Sequence, residues 1–523
     1  MKTNILFNKE NLFIAFLLLF SLLINQYYGN RGIFPVDSFA HFDTGFRILL
    51  GEHPFKNYWI VSGPFLDYTQ SIFFYLFGVN WQAYIFHASL INAILTLATF
   101  FILKNFNLNI RYSFAYAILF SIIAYPISGT PFVDLHSAFF SLLGIYSLIL
   151  GIKNEKKIYW ILFPIFFGFS FLSKQVPSSY VIISSIFVLI IFSIFCKKYY
   201  WIKYSFISSI LLILLVLIFG KIQGISLFSF LEQYIFYPQS IGRERLSNFN
   251  ITFSGLVGHF KFIYIAIIPL FFTNIKKIFF EKNYFINKNF YYFLILFLFT
   301  FSLILHQLIT RNQTFIFFLI PILFGFSHIN LSNYKINSKN LFSIIFISIC
   351  LFAVLKYHIR FNENRKFHDL NYVDFNLSSE AKKIDKKFSG LKWITPEYKN
   401  NPQTEINLLN EIKLYLESDN RTKMVMTNYS FFSSILSEKL FSPTRWHIPD
   451  GTDYPLSGNK YFDSYKNLLI RLIEKNNIKV IYTIYPVKNS VIFTYLNKSC
   501  FKETKISSIL SSYEIKNCYE INS

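Results

Sequence analysis

Asn11-Leu-Phe-Ile-Ala-Phe-Leu-Leu-Leu-Phe-Ser-Leu-Leu-Ile-Asn-Gln-Tyr27 and, just after it, Pro35-Val-Asp37-Ser-Phe-Ala-His41-Phe-Asp43-Thr-Gly-Phe-Arg47 decide how the rest of the chain is read. The first stretch is apolar for about as many residues as a helix needs to cross a bilayer. Asn25-Gln26-Tyr27-Tyr28 offers no small-residue cleavage site, so the run reads as a retained helix and not as a signal peptide. The second stretch places two carboxylates, an imidazole and a guanidinium immediately beyond a membrane span. It continues through Gly51-Glu52-His53-Pro54-Phe-Lys56-Asn57-Tyr58-Trp59 to Gly63-Pro64-Phe-Leu-Asp67-Tyr68. In a mostly apolar chain that concentration of ionisable groups marks the place where chemistry sits.

Working outward, the first run is one of a series. The 523 residues are 53% hydrophobic with 67 Phe, and the mean hydropathy is +0.40. An ordinary soluble domain is less apolar, which makes this a polytopic α-helical membrane protein. Apolar runs recur near 11–27, 83–103, 112–127, 136–151, 158–172, 176–195, 203–220, 256–273, 290–308, 314–328 and 341–356, giving about eleven transmembrane helices. With the N-terminus inside, the segments 1–10, 104–111, 152–157, 197–203, 276–289 and 330–340 are cytoplasmic and hold 16 basic and 3 acidic residues. That asymmetry is the positive-inside pattern. The formal charge of +22 is therefore mostly a topology signal and not a nucleic-acid surface.

An odd number of helices puts residues 357–523 outside, giving two domains: 1–356, membrane-embedded with a first outer loop at 28–82, and 357–523, soluble. The second has mixed charge and no long apolar run. Lys423–Thr427, Tyr429–Lys439, Asn459–Lys475 and Ile478–Thr483 read as strand, helix, helix, strand, an α/β order with parallel pairing. Cys196 and Cys350 fall in membrane helices, whereas Cys500 and Cys518 both lie in this outer domain. They are either a disulfide formed in an oxidising compartment or two separate thiols.

Of the 10 acidic residues before position 357, the topology puts 7 outside: Asp37, Asp43, Glu52, Asp67, Asp134, Glu232 and Glu244. Asp134, in Pro131-Phe-Val-Asp134, opens the fourth helix either as its N-cap or as a functional carboxylate. Lys174, in Phe171-Leu-Ser-Lys174, is a cation between two apolar helices. Such a charge either serves a function or snorkels to the interface. Arg243 and Arg245 suit bidentate phosphate contacts, and Leu305-His306-Gln307-Leu-Ile-Thr310-Arg311-Asn312-Gln313 adds further donors; each of the two loops also reads as a solvated headgroup surface. Tyr58, Trp59, Tyr68 and Trp81 would anchor the first loop at the headgroups, or stack on a sugar.

Asp37, the Gly51-Glu-His-Pro54-Phe and Gly63-Pro64 elements, Pro131-Phe-Val-Asp134 and Phe171-Leu-Ser-Lys174, in that order over residues 30–180, resemble the GT-C superfamily of polyprenyl-phosphate-sugar-dependent glycosyltransferases. Within it they look like the protein O-mannosyltransferase and lipid A aminoarabinose transferase branch. The resemblance implies an inverting transfer from a polyprenyl-phosphate-linked sugar to an acceptor hydroxyl on a glycan, lipid or protein. It implies Asp37 as general base, with Asp134 and Asp43 as further catalytic carboxylates. Lys174, Arg243, Arg245, His306, Gln307, Arg311 and Gln313 would hold the donor phosphate and substrate. Many members carry a second acid beside the first, and here the neighbour is Ser38. If a divalent cation is used, Asp37, His41 and Asp43 are the residues to hold it.

The expected setting is a bacterial inner membrane, with the active site and the outer domain facing the periplasm. Two other classes compete. A lipid or sugar transporter would carry its ionisable residues near the bilayer midplane, whereas here they cluster in outer loops. A polysaccharide polymerase or ligase shares the membrane setting, and the early Asp37 loop speaks against it.

Overall fold

The computed structural model describes residues 9–125, 127–247, 251–311, 315–332 and 339–516. The chain is mostly helical. Among the described residues 8 helices are long and apolar enough to cross a membrane: Lys9–Gly29, Trp81–Asn105, Val133–Asn154, Gln175–Cys196, Tyr200–Ile222, Ser254–Phe280, Lys288–Ile309 and Asn340–His368. Ile110–Ala124, Lys157–Ser173 and Leu319–Ser332 are apolar but shorter. Each apolar run in the sequence overlaps one of these elements.

Packing divides the chain into two units, neither of them continuous in sequence. The first comprises Met1–Gly29, Ile85–Leu215 and Asn248–Phe367; the second comprises Asn30–Tyr84, Val216–Ser247 and His368–Ser523. This differs from the two consecutive domains, 1–356 and 357–523, read from composition. The physical reason lies in residues 30–84, whose charged side chains bury themselves among groups from residues 368–523.

In the first unit, helix Val133–Asn154 is central: 89% of its apolar window is buried, against 28% for Lys9–Gly29. Leu12, Leu19 and Leu23 of the latter stay exposed, as a lipid-facing helix requires. The central helix packs tightly because small residues recur along one side, at Ser137, Ser141, Gly144 and Gly151. Ser170 Oγ donates to the Ser137 carbonyl at 2.7 Å, and the Ser141 and Ser170 hydroxyls meet at 2.7 Å. A Cβ on Gly144 would come within 2.4 Å of the Phe167 ring. Small residues let helix backbones approach where apolar burial alone gives no drive between helices.

In the second unit, helices Pro35–Leu49 and Pro64–Phe77 each begin with proline, whose fixed φ and missing N–H suit a first turn. Gly63, at φ 76°, makes the turn into the second helix, a conformation that side chains with a Cβ resist. Gly32 N–H donates to the Lys392 carbonyl at 3.0 Å and Ile33 N–H to Ile394 at 3.1 Å. There they extend a two-stranded pairing of β1 (Ser379–Glu380) with β2 (Lys392–Trp393). A four-stranded sheet is built from β3 (Lys423–Met426), β4 (Val480–Ile484), β5 (Phe501–Lys505) and β6 (Leu510–Ile515), in the order β3-β4-β6-β5. β3 and β4 pair in parallel, Met424 opposite Ile481, while β6 runs antiparallel to both its neighbours. Helix Phe462–Lys475 buries Tyr465, Leu468, Leu469, Leu472 and Ile473, a stripe at helical spacing. These residues join a core with Trp59, Tyr237, Met424 and Ile481. The helix expected over 429–439 is a short one, Phe432–Leu436; residues 437–461 hold neither helix nor strand. Cys500 is disulfide-bonded, and Cys518 lies outside the described residues.

Candidate active site

Helix Pro35–Leu49 is buried all round from Ser38 to Arg47, although it carries His41, Asp43 and Arg47 on that stretch. Burying charge is costly unless each group is paired and hydrogen-bonded. Two networks within the second unit supply the ion pairs, although Arg47 Nη1 and Arg445 Nε and Nη1 make no hydrogen bond among the described residues. His41 and Thr44 lie on the face that continues from Asp37, at i+4 and i+7. His41 Nδ1 lies 2.8 Å from Asp67 Oδ1, which also accepts from Thr44 Oγ1 at 2.6 Å. Arg445 Nη2 donates to the other oxygen of Asp67 at 2.5 Å, and both partners of that ion pair are fully buried. Burial pushes the Asp67 pKa up, but Arg445, His41 and Thr44 outweigh it and hold the carboxyl below its usual range. Burial and, after it, Arg445 hold the His41 imidazole below its ordinary value against the pull of Asp67.

On another face, Asp43 accepts a hydrogen bond from Ser433 Oγ, with Arg47 Nη1 at 3.8 Å. Arg47 Nε donates to Glu52 Oε2 at 2.8 Å and Nη2 to the Ser442 carbonyl at 2.9 Å. Its guanidinium lies 4.2 Å from the centre of the Tyr58 ring. A cavity of about 20 Å³ borders Asp43, Arg47, Ser433 and Ser442, room for one water. Burial raises the Asp43 pKa to about 6 despite Arg47 and Ser433. Asp37, in the first turn of the same helix, is only half-buried.

The first unit holds a separate polar cluster. Asp134 sits in the first turn of helix Val133–Asn154, but the N-cap position belongs to Phe132, which makes no side-chain cap. The N-cap reading of Asp134 is thereby corrected. Its two oxygens accept from Lys174 Nζ at 2.8 and 2.7 Å, and His306 Nε2 lies 3.7 Å from Oδ1. Gln307 Nε2 is 3.1 Å from His306 Nδ1, and Gln307 Oε1 accepts from the Phe315 backbone at 3.2 Å. Lys174 is thus no lone cation: it has an anionic partner, and its side chain stays 22% exposed against 6% for Asp134.

Of the remaining residues read from the sequence, Arg243 and Arg245 stand exposed on helix Tyr237–Ser247 of the second unit. Arg311 is exposed in the first unit, just beyond helix Lys288–Ile309. Gln313 lies outside the described residues. Asp37, His41 and Asp43 do not form a metal-holding group: among the described residues no three His, Cys, Asp or Glu side chains do. Residues two apart on a helix point in nearly opposite directions, which separates His41 from Asp43. Two aromatic readings also change. Tyr58, Trp59 and Trp81 are at most 1% exposed, so they are core rather than headgroup anchors or sugar platforms; Trp59 meets Tyr237 and Tyr465 edge-on. Sequence reasoning missed Arg445 altogether and gave Asp67, Arg47 and Glu52 no role. The available signal was the long irregular segment 437–461, since structureless loops of that length inside a folded region are uncommon and often functional.

Residues 53–219 match the family model described as dolichyl-phosphate-mannose-protein mannosyltransferase. Among solved structures, that of ArnT from Cupriavidus metallidurans bound to undecaprenyl phosphate covers 98% of this chain and 98% of its own, at 9% identity and a TM-score of 0.48. The same protein in the apo state covers 96% of this chain and 97% of its own, at 12% identity and a TM-score of 0.47. No curated protein matches the chain.

Proposed function

We infer that this chain, whose residues 53–219 match the dolichyl-phosphate-mannose-protein mannosyltransferase family model, is a GT-C glycosyltransferase that moves a sugar from a polyprenyl-phosphate donor to an acceptor hydroxyl at the outer face of a bacterial inner membrane. The step is a single displacement with inversion: the acceptor oxygen attacks the anomeric carbon, its proton passes to a base, and the polyprenyl phosphate departs with the bonding electrons. Such a donor carries a good leaving group, so the protein supplies mainly a base and a cation for the departing phosphate.

Asp37 is assigned as the base. The observation that carries this is the difference in accessibility on one helix and its neighbour: Asp43 and Asp67 are buried in ion pairs, while Asp37 is only half-buried. Lys174 is assigned to the phosphate, steadied by Asp134 and backed by His306 and Gln307. Arg243, Arg245 and Arg311 are further phosphate contacts in this reading. The acceptor is a glycan, lipid or protein hydroxyl.

Asp37→Asn preserves size and hydrogen bonding and removes basicity. Turnover of a polyprenyl-phosphate sugar by the purified variant in nanodiscs is expected to fall by about a hundredfold or more, within the usual 10² to 10⁴ for loss of a general base. Near-normal turnover rejects the assignment. Deleting the gene and comparing surface glycans and glycolipids by mass spectrometry identifies the acceptor class.

A further inference from the structure

Asp67 does more than neutralise Arg445. Its Oδ1 lies 2.8 Å from His41 Nδ1, and a carboxylate accepts hydrogen bonds only, so that ring nitrogen carries the hydrogen. The neutral imidazole then has its lone pair on Nε2. This is the way a buried carboxylate fixes the tautomer of a base and leaves its other nitrogen ready to take a proton. Thr44 Oγ1 and Arg445 Nη2 hold Asp67 in place on its two oxygens, so the imidazole's orientation is fixed from a second helix and from residue 445. His41 stands four residues after Asp37 on helix Pro35–Leu49, the spacing that makes two side chains neighbours on one face.

Resting on Asp37 being the base, we propose that His41 is its proton relay and positioning residue: the proton that Asp37 takes from the acceptor hydroxyl passes to His41 Nε2. The acceptor O–H bond breaks as the new glycosidic bond forms, and Asp37 becomes the carboxylic acid. The O–H bond of that acid breaks as N–H forms on Nε2, restoring the Asp37 carboxylate. The imidazolium, paired with the Asp67 carboxylate, hands the proton back through the half-buried Asp37 to water once the product has left. No oxidant or further reactant is needed.

The charged groups that act on the imidazole are Asp67 on helix Pro64–Phe77 and Arg445 on the 437–461 segment; Asp37 precedes it by about one turn of its own helix. Burial and Arg445 keep His41 neutral at pH 7, the form a relay requires. Protonation in acid blocks it, so part of the acid limb of the kcat profile belongs to His41 and lies below the ordinary histidine value of about 6.5.

His41→Asn separates the relay from mere structure, because the amide N–H still reaches Asp67 while nothing remains at the Nε2 position. In nanodiscs with a polyprenyl-phosphate sugar, kcat is expected to drop at least tenfold. The donor KM should stay within about twofold and the His41 part of the acid limb should vanish. His41→Ala is the second variant, assayed with and without added imidazole, and severalfold rescue that grows with the neutral imidazole fraction supports the relay. Wild-type kcat and an unchanged pH profile in a folded His41→Asn protein overturn it. So does a loss in His41→Ala that imidazole leaves untouched while His41→Asn restores activity, which marks a structural link only. Asp37→Asn in parallel keeps the two readings apart: if it is inactive and His41→Asn normal, the relay fails and the base stands, whereas an active Asp37→Asn fails the base itself.

Discussion

Two carboxylates of one helix illustrate how local environment divides residues of the same type. Asp37 and Asp43 are six positions apart, yet one is half-buried and the other is enclosed by Ser433 and Arg47. The raised Asp43 pKa has a sign that can be checked. A carboxyl shifted from 3.8 to about 6 on folding binds more protons in the folded state between those values, so its contribution to stability is greatest below about pH 4 and is lost as the pH rises through 6. The loss amounts to roughly 3 kcal/mol at about 1.4 kcal/mol per unit. Asp43→Asn should therefore gain thermal stability relative to wild type between pH 4.5 and 7, read by thermal denaturation in detergent, with only a modest effect on turnover. Lys174 gives a second test. Lys174→Ala strands the Asp134 carboxylate, so it should lower both stability and donor affinity. Adding Asp134→Asn should recover the stability and not the affinity, and a double-mutant cycle on the two readouts separates them. If donor affinity in Lys174→Ala equals wild type, the ammonium serves the ion pair alone.

At the scale of elements, hydropathy was enough to place helices, because bilayer thickness imposes a length that composition reveals. The three shorter apolar helices were visible from composition alone, since they fall below that length. Ends and packing faces were not. The small-residue side of helix Val133–Asn154 is scattered among Leu, Ile and Phe, and only its pairing with Ser170 and Phe167 shows what the gaps are for. Gly144→Ala should cost about 1 to 3 kcal/mol through overpacking against Phe167. Trimming the partner with Phe167→Leu should return part of it, as measured by melting in detergent. An unaltered melting temperature for Gly144→Ala would mean the ring moves aside freely. The predicted helix over 429–439 shortened because Thr427, Asn428 and Ser430 spend their polar groups elsewhere: Thr427 Oγ1 accepts from the Tyr429 N–H at 2.9 Å, Asn428 Oδ1 accepts from the His447 N–H at 2.9 Å, and Ser430 Oγ donates to the Arg445 carbonyl at 2.7 Å. Such side chains compete with helical hydrogen bonding.

For the whole molecule, the first-loop carboxylates were legible as a cluster, and their resemblance to a family was legible from motif order. What they bind within the chain was not. Asp67 and Arg445 are separated by 378 positions, and no periodicity or composition links an acid in a membrane-proximal loop to a guanidinium in an irregular segment near the other end. The topology read from lysine asymmetry is testable with single cysteines. One at Lys282 should label only after permeabilisation, and one at Asn400 should label in intact cells with an impermeant thiol reagent. The reverse pattern inverts the map and removes the outer-face reaction.

The Asp67–Arg445 pair, together with the Trp59 N–H donating to the Pro443 carbonyl at 2.8 Å, has a consequence in time. A ribosome adding about 5 to 20 residues per second exposes Asp67 long before Arg445 exists. For tens of seconds the nascent chain must carry Asp67 without its guanidinium partner at the membrane surface. A message cut short ahead of codon 445 yields a product that never resolves them. Ribosome-release and pulse-chase measurements should find chains ending before residue 445 degraded quickly. Supplying residues 368–523 as a separate polypeptide should prolong their lifetime, since the missing counter-charge would arrive from outside.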